Sequence, residues 1–190
     1  MMVVARQDFA LAANGATASD NPAQTNSSIG PAKAIDGDNS TYWESLNNPS
    51  NVNPQSIIIA FPYPLTINKV RFIAPTATNR PRNYTWAVSA DGSSYTTVVT
   101  VTNNGSTDVT DTFSAQSNVS YLRLSVTREG SGSNKIRVAT LEAIGSKITS
   151  TGTVAATGQN YTRTVIQTVV ADDGSPQNQV AYYEPDWSEQ

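Results

Sequence analysis

The chain has 190 residues, 12 Lys and Arg against 15 Asp and Glu, a formal net charge of −3, and neither histidine nor cysteine. Those absences exclude a Ser-His-Asp triad, a histidine general base, the facial triad of non-haem iron, thiol nucleophiles, thiolate zinc sites, iron–sulfur clusters and disulfides. The acidic balance leaves no basic footprint for nucleic acid or an anionic membrane, and the one enzymatic route still open is a carboxylate pair of the glycosidase kind.

The N-terminus, Met1 to Asp8, has too short an apolar run for a secretory signal and nothing basic before it, and no stretch reaches the ~20 apolar residues of a membrane span. Asn, Ser and Thr make up about a third of the chain, which suits exposed sheet and long loops. Pro31 to Trp43 concentrates hard oxygen donors around a glycine: Asp36 and Asp38 offer carboxylates, Thr41 a hydroxyl, and a bent backbone can turn carbonyls inward. Ca²⁺ accepts such a mixture of 6–8 oxygens. An Asp-Gly turn capped by its own Asp and Ser side chains explains the same residues without a metal.

Period-two alternation dominates from here on. Ser56 to Phe61 reads as a buried strand closed by Pro62 and Pro64. Ile67, Val70 and Phe72 follow among polar neighbours, with Lys69 and Arg71 projecting the other way from Val70 and Phe72. Tyr84, Trp86 and Val88 alternate with small polar residues. Asp91-Gly92 makes a hairpin turn into Tyr95 to Thr102. Tyr121 to Val126 and Lys135 to Ile144 complete the set, which reads as an antiparallel sandwich or jelly roll. Lys147 to Asn160 looks like a linker. Two further strand-like runs, Tyr161 to Val170 and Val180 to Tyr183, form a tail too small to stand alone.

Several blocks in order resemble the discoidin family, the coagulation factor 5/8 type C domains whose bacterial branch is the family-32 carbohydrate-binding modules. They are Ala34-Ile35-Asp36-Gly37-Asp38-Asn39-Ser40-Thr41-Tyr42-Trp43, Pro54-Gln55-Ser56-Ile57, Ile67 to Phe72, Arg82 to Tyr95, Val119 to Leu124 and Arg137 to Glu142. The resemblance covers about residues 8–146. It implies an all-β, eight-stranded antiparallel β-sandwich of the galactose-binding jelly-roll type, preceded by an arm at 1–7 and followed by an extended β tail at 147–190. It also implies one structural Ca²⁺ held by the carbonyls of Lys33 and Leu141, the carboxylates of Asp36 and Glu142, by Asp38, and by the carbonyl and hydroxyl of Thr41. Trp43 and Trp86 are expected in the core.

Sugar binding in this family uses loops at one end of the sandwich, where an aromatic face takes the pyranose and polar groups bond its hydroxyls. By loop position the candidates are Glu44, Asn47, Asn48, Asn79, Arg80, Arg128 and Asn134, with Tyr42 or Tyr63 as the stacking face; each has the alternative of a plain solvated side chain. The histidine common in galactose-binding members is missing. The expected function is a non-catalytic glycan-binding and adhesion module, not an enzyme. The opening residues Phe9 to Ala18 look like discoidin modules of phage virion and tail proteins, so display on a virion or other extracellular assembly is expected. The tail would contact virion or filament proteins or sister subunits, with cell-surface glycan as the partner and neither nucleic acid nor membrane insertion. The competing readings are a purely structural decoration, fibre or filament subunit, and membrane-lipid binding, for which the loop Ser45-Leu46-Asn47-Asn48-Pro49 is too polar.

Overall fold

The computed structural model describes residues 8–131 and 134–147, so the expected arm at 1–7 and the tail from residue 148 lie outside the described residues. Among the described residues, eight strand segments alternate with loops and three short 3-10 turns: β1 Thr17–Asn21, β2 Trp43–Glu44, β3 Gln55–Ile73, β4 Pro81–Ser89, β5 Thr96–Val101, β6 Asp108–Glu129, β7 Arg137–Val138 and β8 Thr140–Lys147. Every pairing is antiparallel.

Two strands build both layers. The first half of β3 lies between β1 and the second half of β6, and β4 and β5 continue that sheet. The second half of β3 instead pairs with β8 on one side and with the first half of β6 on the other. The change of partner falls between Ala60 and Leu65, where the ladder shifts register. Pro62 and Pro64 stand in this unpaired stretch, so their missing N–H groups cost no ladder bond. The reading that Pro62 closes the strand is therefore corrected: the prolines mark its bend, and the strand runs on to Ile73. The first half of β6, from Asp108, stands out less in the sequence because its side chains are mostly exposed or half-buried.

The layers meet over a core containing Ile57, Ile59, Leu65, Ile67, Val70, Phe72, Tyr84, Trp86, Leu122, Leu124 and Leu141. Phe72 of one layer meets Tyr84 of the other edge to face, ring centroids 5.2 Å apart. Asp111 on β6 accepts hydrogen bonds from the Tyr84 hydroxyl and the Trp86 indole, each at 2.9 Å. Burial, then the charge of Asp111, pushes the Tyr84 phenol far above its ordinary value. Both expected core tryptophans, Trp43 and Trp86, are buried.

The loops before β3, between β3 and β4, between β5 and β6, and between β6 and β7 are knitted together at one end. Asn47 N–H donates to the Gln55 side chain, Ser45 N–H to the Ile136 carbonyl, Arg137 N–H to the Asn79 carbonyl and Asn104 N–H to the Arg82 carbonyl. The bends of β3 and β6 and the turn at Asp91 lie at the other end.

Candidate functional site

The loop end gathers most of the residues expected to bind ligand. Trp43 and Glu44 pair with Val138 and Arg137, a two-stranded ribbon that buries Trp43 and Val138 and leaves the alternate side chains at the surface. The Glu44 carboxylate is 13% exposed; it accepts from Arg137 Nε at 2.7 Å and lies 3.6 Å from Lys135 Nζ. The Arg137 guanidinium sits over the Tyr42 ring, 4.8 Å from its centroid. Tyr42, Glu44, Lys135 and Arg137 are thus one cluster. Position by loop did not single out the two cations, although Lys135 and Arg137 flank the fully buried Ile136 and so had to project outward.

Other candidates lie at this end but spend their polar groups on the loops themselves. Asn79 is buried: its amide oxygen accepts from the hydroxyls of Thr76 and Thr78 at 2.7 and 3.2 Å, and its amide nitrogen donates to the Lys135 carbonyl at 2.8 Å. Arg80 donates to the carbonyls of Asn104 and Ala77. Asn134 donates from its backbone to Glu129 and from its side chain to the Ser131 hydroxyl. Gly130 is required here, since a Cβ would collide with the Ala77 carbonyl and crowd Arg80. Asn47, Asn48 and Arg128 are exposed. Tyr63 is not brought to the cluster: it lies between Pro62 and Pro64 at the bend of β3, a position that loop counting along the chain does not reveal.

Beside the ribbon, the loop after the third 3-10 turn folds around Thr41. Its hydroxyl lies 2.8 Å from Asp36 Oδ2, 3.1 Å from the Asp38 carbonyl and 3.3 Å from the Lys33 carbonyl. Gly37 permits the loop because its φ is +82°. The Asp38 carboxylate is engaged by Ser40, whose hydroxyl and backbone N–H hold its pKa below the ordinary value. Lys33 Nζ stands 3.5 Å from Asp36. Leu141 and Glu142 face the loop across a cleft of about 290 Å³ that Gly37, Asn39 and Arg71 also line, and the Thr140 hydroxyl donates to Asn39. Glu142 accepts from Arg71 at 2.7 Å, and Arg71 forks onto Asp108 with two bonds of 2.7 Å. The hydrogen bonds and charges of these carboxylates hold the guanidinium pKa above its ordinary value. Among the described residues no three Asp or Glu side chains converge as a metal cluster. One carboxylate, a hydroxyl and two carbonyls do converge, which is a donor set of the kind a hard cation accepts.

A family model described as F5/8 type C domain matches residues 15–140. No curated protein sequence matches the chain. Among solved structures, the chain is similar to chitosan-binding module 1 of a chitosanase/glucanase from Paenibacillus sp. IK-5, at 26% identity and a TM-score of 0.62, over 73% of this chain and 99% of that one. Module 2 of the same enzyme, in complex with chitotriose, shows 22% identity and a TM-score of 0.61 over 73% and 100%. A Clostridium perfringens family-32 module in complex with GalNAc-β-1,3-galactose shows 18% and 0.60 over 73% and 100%. The last two likenesses speak for the fold alone.

Proposed function

The chain belongs to the F5/8 type C, or discoidin, family, and on that premise we propose that it is a non-catalytic carbohydrate-binding module whose ligand meets the loop end of the sandwich. The observation that carries this reading is its similarity to a chitosan-binding module aligned over nearly its whole length. Tyr42, Glu44, Lys135 and Arg137, with exposed Asn47 and Asn48 on the neighbouring loop, supply donors and acceptors of the kind that bond sugar hydroxyls. Catalysis finds little support at this end, because Glu44 and Glu129 are both held by hydrogen bonds from their surroundings.

Within the same reading, Ca²⁺ would be held by Lys33, Asp36, Asp38 and Thr41 with Leu141 and Glu142, and would serve as a crosslink rather than a reactant. The module would act in adhesion, displayed on a virion or other extracellular assembly and attached through the segment after β8. A native mass equal to one full-length chain would remove self-assembly from that picture.

A glycan array probed with the multimerised full chain, in calcium-containing buffer, tests the central claim. Repeatable binding to one saccharide class, lost in Arg137→Ala and Glu44→Ala variants that retain the native circular dichroism, is the expected result. Silence across the array from a folded protein would favour the second reading, a scaffold subunit that binds no sugar. One observation speaks for it: Asn79, Arg80 and Asn134 are consumed inside the loops.

A further inference from the structure

The molecule is acidic, yet five of its twelve Lys and Arg residues stand on elements that meet at the loop end. Arg80 and Arg82 flank Pro81 where β4 begins, and Arg128 precedes Glu129 where β6 ends, with Pro81 paired to Glu129 and Asn83 to Arg128. Lys135 and Arg137 follow on the loop that Asn79 clamps to this pair. The carboxylates among them are Glu44, which is paired with Lys135 and Arg137, and Glu129. Glu129 is 2% exposed and receives the backbone N–H groups of Ser131 and Asn134. Glu44 is 13% exposed, whereas the Lys135 and Arg137 side chains are 41% and 34% exposed, and Arg128 is exposed. Carboxylates on flanking elements are committed elsewhere: Asp20 to the Trp43 indole, Asp108 to Arg71. Of these carboxylates only Glu129 is fully buried, and Asp108 keeps about half of its side chain at the surface.

The donors left over have the chemistry of an anion site. Arg137 gives Nε to Glu44 and retains its terminal nitrogens, a planar fork that suits a carboxylate or sulfate. Arg82 donates from a terminal nitrogen to the Asn103 side chain and its Nε is buried, so it is not among these donors. The guanidinium of Arg137 also covers one face of Tyr42, so a pyranose cannot stack there while the cation stays.

Resting on the carbohydrate-binding reading, we propose that the ligand is an acidic saccharide, one bearing carboxylate or sulfate groups, and that Arg128, Lys135 and Arg137 select it. This charge is opposite to what a polymer of free amino sugars would need, so the preference is expected to differ from that of a chitosan-binding module.

The test is calorimetric titration of the full chain with oligogalacturonate, with its methyl ester as the neutral counterpart, with a sulfated oligosaccharide, with chitosan oligomers and with single-stranded DNA. The acidic sugars are expected to bind on the order of tenfold more tightly than the ester and chitosan, with affinity falling as salt shortens the Debye length from ~10 Å at 0.1 M to ~3 Å at 1 M. The two acidic arms distinguish carboxylate from sulfate. Arg128→Gln, at an exposed position, and Lys135→Gln should each lower that affinity several-fold without changing the melting temperature. Equal or tighter binding of the ester or chitosan overturns the charge preference and leaves the module a carbohydrate binder. So does acidic-sugar binding that both variants leave intact. Equal binding of DNA overturns it as mere polyanion attraction. No saccharide bound by a folded chain defeats both readings.

Discussion

Asp111 reaches from β6 between the layers to accept from both Tyr84 and Trp86, two of the most buried aromatic residues of the core. Removing it leaves an O–H and an indole N–H without an acceptor, and each orphaned buried donor costs about 1–3 kcal/mol. Asp111→Ala is therefore expected to lower the urea unfolding free energy by about 2 kcal/mol or more, and Asp111→Asn, which keeps one acceptor oxygen, by less. The core place of Trp86 was legible from alternation with small polar neighbours, and that of Trp43 only from the family resemblance. The acceptor was not, because Asp111 lies 25 residues from Trp86 in the chain and nothing in an isolated aspartate announces its partner. Asn79 shows the same limit from the other side. Its loop position suggested a ligand contact, but the Lys135 carbonyl, 56 residues away, claims its amide.

At the scale of elements, the bend of β3 is where local rules and the fold part company. Proline breaks a strand only where a ladder bond is needed, and the unpaired stretch between Ala60 and Leu65 needs none. Pro64→Ala is expected to change stability by less than about 1 kcal/mol. Ile58→Pro places the same ring in the middle of the ladder, between Ser19 and Arg123, and should cost at least about 2 kcal/mol. Thermal and urea melts of the two variants check the contrast; equal losses would mean the bend is as constrained as the ladder. The β2–β7 ribbon is the complementary case. Two residues per strand give almost no periodic signal, yet this pairing sets Glu44 beside Arg137.

For the whole molecule, the loop around Thr41 and the start of β8 lie about a hundred residues apart in sequence and face each other across one cleft. An ion bridging them would bind the folded chain and not the unfolded one, adding stability that depends on its concentration. Calcium is expected to raise the melting temperature by several degrees, a chelator to reverse the gain, and Asp36→Ala to abolish the calcium response. A melt indifferent to chelator and to the substitution would remove the ion from the structure.

The longer strands with a buried face, the core place of Trp86, the oxygen-rich loop and the exclusion of histidine and cysteine chemistry are all properties of neighbouring residues, and the sequence by itself determined them. Period-two burial and turn chemistry are local, so they can be read along the chain. The gathering of charge is not local. Arg80, Arg82, Arg128, Lys135 and Arg137 are dispersed in a chain of net charge −3. They are brought to one end of the molecule because β4 pairs with the second half of β6 and the Asn79 loop is tied to Lys135 and Arg137. Composition sums charge over the whole chain, whereas a ligand meets the part of it that strand pairing brings to one end.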